Sequence, residues 1–177
     1  MRRRNWLAVQ VELITGLGRP LWPRPGRLFA VARSHSFAEF AAAIDQALGR
    51  WDPSKPAEFV LDDDVRIGSG DGAQDAALTK IGELNQGDRF AYLFDGFAEE
   101  GGWQHLCTVI ERPFDPRKTL LGEPPELPTP YCGWGSLPDQ HGLRWAKDDG
   151  HKPGPRQPAQ PYDDLPPLLP GWGPSGQ

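Results

Sequence analysis

Proline limits this chain more than any other residue, because it fixes φ and removes a backbone donor. Fifteen of the 20 prolines follow Glu111, and five precede Arg112. From Ala146 to Gln177 there are eight prolines and five glycines in 32 residues. Such a stretch has few donors and little apolar mass for a core of its own. Residues 146–177 are therefore predicted to be an irregular, extended Pro/Gly-rich tail. The single folded domain is assigned to 1–145, with its ordered part from about Asn5 to Trp145. Leu165, Leu168, Leu169 and Trp172 give the tail apolar side chains with which to strap onto the domain or onto a partner.

Ahead of that tail the hydropathy alternates. Leu7, Val9, Val11 and Leu13 point one way, and Gln10 and Glu12 the other, which predicts a half-buried strand over Asn5–Ile14. Arg27–Ala32, Ala57–Leu61, Val65–Ile67, Asp88–Asp95 and Trp103–Arg112 are further strand candidates. Asp62–Asp64 makes a turn, and Gly68–Gly72 and Gly96–Gly102 make loops. Trp103, His105, Cys107 and Val109 share one face of the last of these strands, with Leu106 and Ile110 on the other. Apolar residues on both faces mark an inner strand or one flanked by the tail. Ser36 with Glu39 three residues on has the spacing of a capping box. Phe37, Phe40, Ala41, Ile44 and Leu48 then fall on one helical face, and Gly49 is placed to end the helix. The spacing predicts one main amphipathic helix over about 36–48. Leu78, Ile81 and Leu84 predict a second, short helix over about 76–85. The class is α+β, with a mainly antiparallel sheet.

The 177 residues contain no run of eighteen apolar ones, so no transmembrane helix is predicted. The arginines at 2–4 resemble the charged end of a leader, but Gln10 and Glu12 interrupt the apolar run, and a cytoplasmic protein is expected. With two cysteines, a disulfide framework is not expected. The formal charge of -5, without a long basic run, argues against direct nucleic-acid binding.

Several polar groups are candidates for chemistry. His105 with Asp95 across a hairpin could be a ligand or general base held by a carboxylate, or a structural latch; surroundings this aromatic favour the latch. His105 and Cys107 are two apart on one strand, a spacing usually too wide for a nucleophile pair. Cys132, Asp139 and His141 are metal-ligand types, but their spacing with His105 matches no standard site. No metal and no cofactor is assigned. His35, just before a helix N-cap, reads as a solvated turn residue. Trp134 and Leu137 must be buried somewhere, and the Trp103–His105–Cys107 face is the nearest apolar surface. Folding back there would bring Asp95, Trp103, His105, Trp134, Asp139, Gln140 and His141 together as a candidate ligand-binding cluster.

From Ser36 onward the order of features resembles the plasmid pRiA4b ORF-3-like proteins. Phe90 to Asp95, then Gly102 to His105 and Val109 to Glu111, resemble that family's aromatic strand followed by its Trp-x-His strand. The helix start at Ser36–Phe40, Gly49–Trp51, Glu58–Phe59 and the Gly-rich Cys132–Gly135 with Pro138–Gly142 resemble further family motifs, over about Val9 to Gly142. The loop between Asp95 and Trp103 is longer than the family's. Lys55–Pro56 stands where His-Leu is usual. The family's paired cysteines are absent, so no metal role carries over. The resemblance implies an α+β fold with an antiparallel sheet and a plasmid or mobile-element setting, and no activity.

The expected function is a non-catalytic binding or interaction module of a bacterial mobile-element or accessory-gene context. It would be anchored on a protein partner by the loop tryptophans Trp22, Trp134 and Trp172. The alternatives are a metal-assisted or His/Asp-based enzyme centred on Asp95, His105, Asp139 and His141, and a nucleic-acid-associated accessory protein.

Overall fold

The computed structural model describes residues 5–49, 54–96, 101–138 and 160–161. The strands are β1 (Trp6–Gly16), β2 (Arg19–Pro20), β3 (Gly26–Ala32), β4 (Ala57–Val60), β5 (Arg66–Gly68), β6 (Arg89–Phe94), β7 (Trp103–Val109), β8 (Thr129–Trp134) and β9 (Gln160–Pro161). They form one sheet in the order β5-β4-β6-β7-β1-β3-β8-β9, with β2 paired to β1. Every pairing between these strands is antiparallel. The helices are α1 (Phe37–Leu48) and α2 (Pro116–Leu120). No helix among the described residues is long and apolar enough to cross a membrane.

β1 is the spine, paired with β3 on one side and β7 on the other. Its alternation is the one read from sequence: Leu7, Val9, Val11 and Leu13 are all buried. Strand periodicity carries these side chains, with Phe29 and Val31 of β3, Phe59 of β4 and Tyr92 of β6, to the face under α1. α1 forms for local reasons. The Ser36 hydroxyl accepts from the Glu39 amide at 3.1 Å, the Glu39 carboxylate accepts from the Ser36 amide at 2.7 Å, and Gly49 closes the helix at φ 73°. Its buried stripe is Phe37, Phe40, Ile44, Ala47 and Leu48. Phe40 stacks on Phe59 at 5.8 Å and meets Phe29 edge-on at 5.6 Å. Phe59 lies 4.7 Å from the Tyr92 ring. Burying each such ring contributes about 1.5–3 kcal/mol.

Two sequence expectations need correction. The segment 76–85 is not a helix but a turn followed by a single 3-10 turn, Ile81–Glu83. Its backbone groups are taken elsewhere: Phe37 donates to Thr79 O at 3.0 Å, Ile81 donates to His35 O at 2.9 Å, and Lys80 bridges Ser36. Ile81 is fully buried while Leu78 is 79% exposed, so the three apolar residues do not share a face. Second, the Gly- and Trp-containing segment after β7 is a strand, β8, paired with β3. Pro130 is accommodated where the register shifts, between Leu28 and Phe29. Within the tail, Gln160–Pro161 pairs with Gly133 and Cys132. The rest of the tail, 146–159 and 162–177, lies outside the described residues.

Past β8, Gly135 turns at φ 76° against Pro25, and Leu137 ends 1% exposed in the core cluster that includes Trp103 and Cys107. Leu137 thus reaches the core expected of it.

Candidate functional site

His105 sits in the middle of β7 opposite Tyr92 and Leu13, on the face that α1 covers, and is 0% exposed. Its Nδ1 is 3.0 Å from the Tyr92 carbonyl, which makes Nδ1 the protonated nitrogen of that bond. The Tyr92 ring lies 5.3 Å away, and its hydroxyl donates to Asp45 Oδ1 of α1 at 2.6 Å. Burial first, then the Asp45 charge and hydrogen bond, hold the Tyr92 phenol well above its ordinary pKa. His105, Tyr92 and Asp45 therefore form a tie between sheet and helix. Cys107, two residues on, is also sealed, and complete burial pushes its thiol up, so it stays protonated.

The other predicted members separate. Asp95 follows the Phe94–Trp103 pair at the end of β6, at φ 61°, and its carboxylate pairs with Lys55 at 3.3 Å near the surface. Trp103 is buried and lies across Gly16, which leaves no room for a Cβ there. Trp134 lies across Gly26, on the sheet face opposite His105, and its indole N–H donates to Arg24 O at 3.0 Å. It is thus folded onto its own domain, while Trp22 is 59% exposed. Asp139, Gln140, His141 and Trp172 lie outside the described residues. Among the described residues no three His, Cys, Asp or Glu side chains gather as a metal site.

His35 is not the solvated turn residue expected. It is 6% exposed and joins four parts of the chain. Its Nδ1 accepts from the Ala32 amide at 3.0 Å, so its proton sits on Nε2, which donates to Glu126 O at 3.1 Å. Trp6 packs edge-on against the ring at 5.6 Å, and the His35 carbonyl accepts from the Ile81 amide at 2.9 Å. Burial lowers its pKa, against the opposing effects of the Glu126 bond and the Glu39 charge. A lone histidine before a helix cap carries no pattern that announces this.

The face opposite α1 is built differently. Gln10 of β1 sits between Thr108 of β7 and Leu28 of β3, with Ala8 paired to Ala30 beside it. Apart from Leu28, these side chains are small or polar. After β7 the chain runs through Ile110, Arg112 and Pro113 to Phe114, whose ring stacks on Tyr131 of β8 at 5.4 Å. A cavity of about 320 Å³ lies between, lined by these residues with Ala8, Gln10 and Leu28. Burial pushes the Tyr131 phenol up to about 12, so it is a neutral hydroxyl. The Gln10 amide nitrogen donates to Glu12, which also meets Arg24 at 3.7 Å. Among the described residues the Arg112 guanidinium makes no ion pair. Sequence reasoning missed this site, because Gln10, Arg112 and Tyr131 come from three separated segments.

No family model and no curated protein matches the chain. Among solved structures, it is similar to the crystal structure of a protein of unknown function, MM3350, from Methanosarcina mazei Go1. The TM-score is 0.57 at 18% identity, over 83% of this chain and 84% of the other. At that identity the likeness is one of fold.

Proposed function

We propose that the chain is a non-catalytic binding module whose recognition site is the cavity on the sheet face opposite α1. The observation that supports this most is the convergence, on one cavity of ligand scale, of an aromatic pair, a cation and a polar amide over an aliphatic floor. The burial of His105 and Cys107 adds support, because the residues with the most reactive chemistry in the sequence serve there as packing and ties. The setting we propose is that of the pRiA4b ORF-3-like proteins, on the strength of the motif order from Ser36 onward and the antiparallel sheet.

The test is a fragment screen on the full-length protein, followed by amide and side-chain NMR. Fragments that shift resonances of Ala8, Gln10, Leu28 and Tyr131 are expected. A screen whose hits all map elsewhere, or that yields none, refutes the reading.

A further inference from the structure

The proposed binding site has a chemistry that narrows its ligand, and this inference rests on the module reading above. We propose that the cavity takes a small carboxylic acid with a flat apolar body that also carries an N–H or O–H donor. Each part of that description answers a wall of the cavity.

The cation is Arg112. Its planar fork matches a carboxylate's two oxygens, and hydrogen bonds of this kind are the strong ones. On a chain with a formal charge of -5, an exposed arginine that lines a cavity and makes no ion pair among the described residues is a place where an anion is drawn. One arginine over an aliphatic floor suits a monoanion. A phosphate dianion would call for further cations or a cluster of backbone amides.

The flat body answers the wall. Phe114 and Tyr131 are inclined by 21° with centroids 5.4 Å apart, so they present one continuous aromatic edge. Leu28 and Ile110 supply the apolar floor. A planar ring buries both its faces well in such a slot, whereas a branched aliphatic body would not.

The donor answers Gln10. Gln10 lines the cavity, and with an amide N–H given to Glu12 its carbonyl oxygen remains as an acceptor. A ligand that met this oxygen with a carboxylate or a bare ring would leave it unsatisfied. The body that fits therefore carries an N–H or O–H on the side away from the acid.

Calorimetric titration of the full-length protein tests this with four probes: indole-3-acetate, 4-hydroxyphenylacetate and the primary amide of each. The acids should bind, and the amides should bind at least about tenfold more weakly, the loss of a charge-assisted bond pair. Arg112→Gln should reduce the acids to the level of the amides while leaving the melting temperature unchanged, because Arg112 is exposed. Raised salt should weaken the acids only. If the amides bind as tightly as the acids, or Arg112→Gln leaves the acids unaffected, the ligand class is wrong while the binding module stands. If none of the four binds, the ligand class falls, and the fragment screen decides the module separately.

Discussion

The two faces of the sheet are made by alternate residues of the same strands, yet they are constructed to different ends. Under α1 the strands contribute Val9, Val11, Leu13, Phe29, Val31, Phe59, Phe90 and Tyr92, all buried and interlocked with the helix aromatics. On the opposite face the corresponding positions hold Ala8, Gln10, Leu28, Ala30 and Thr108. A face filled with large rings gains stability and loses access. A face of small and polar side chains gains less, and leaves a cavity that a neighbouring loop can complete with Arg112 and Phe114. The difference teaches where to look for function in this chain: away from its most chemically suggestive residues, which belong to the stabilising face.

The largest effect should come from breaking the helix face. Phe40→Ala removes a fully buried ring that touches Phe29 and Phe59, and should destabilise the fold by about 3–5 kcal/mol from lost transfer energy and a residual cavity. Chemical denaturation measures it. An unchanged midpoint would show that the two faces do not differ as described.

Tyr92→Phe probes the same face more finely. It keeps the ring and deletes the hydroxyl that donates to Asp45 at 2.6 Å. A hydrogen bond to a charged partner stabilises by about 1.5–3 kcal/mol, and a loss in that range is expected. A Tyr92→Phe, Asp45→Ala double-mutant cycle should show the two losses to be coupled rather than additive.

Acid should loosen the packing at the edge of the helix face through His35. Its folded-state pKa is lowered from 6.5, chiefly by burial, so the unfolded chain binds the proton more readily. The stability it contributes is fully present above about pH 6.5 and is lost as pH falls below that value towards the folded pKa. The protonated ring would also turn a donor towards the Ala32 amide in place of an acceptor. Glu39, whose pKa is lowered by its bonds to Ser36, adds a loss of the same sign below its ordinary value of 4.5. Stability measured from pH 8 to pH 5 should fall, and His35→Gln should flatten the slope between pH 7 and pH 5.5. A slope that His35→Gln leaves intact would remove His35 from this account.

The sequence made the helix face legible and left the other face obscure, for physical reasons. The signals for α1 are local: Ser36 and Glu39 cap it within one turn, Gly49 stops it, and the 3.6-residue period sets its buried stripe. β1, β6 and β7 show themselves through period-two alternation, which depends on each strand alone. Residues 76–85 misled because helical spacing of three apolar residues says nothing about which backbone partners compete for the segment, and Ser36, Phe37 and His35 took them. β8 stayed hidden because Pro130 and Gly133 lower its strand propensity, while its pairing with β3 comes from tertiary contact. α2 was not anticipated: its five residues, capped by Asp115 with Pro116 in the first turn, are too few to show a helical period. Of the predicted cluster, Trp103 and His105 do share the core face, while Asp95 and Trp134 point to other surroundings.

The smallest expected effect on stability sharpens the comparison most. Phe114 is half-buried, and its main ring partner is Tyr131 rather than the helix core. Phe114→Ala removes one wall of the cavity without opening a void inside the packed face, so its cost should be well below that of Phe40→Ala, about 1 kcal/mol for the lost aromatic pair. The same substitution removes part of the aromatic edge against which a flat ligand would pack, and an aromatic contact of that kind is worth about 0.5–1.5 kcal/mol beyond area burial. Measured side by side, Phe40→Ala should change the denaturation midpoint far more than Phe114→Ala. Phe114→Ala, in turn, should weaken binding of the indole acid severalfold in a protein that still unfolds cooperatively. If Phe114→Ala instead matched Phe40→Ala in stability, the face opposite α1 would be a second core and its cavity a packing gap.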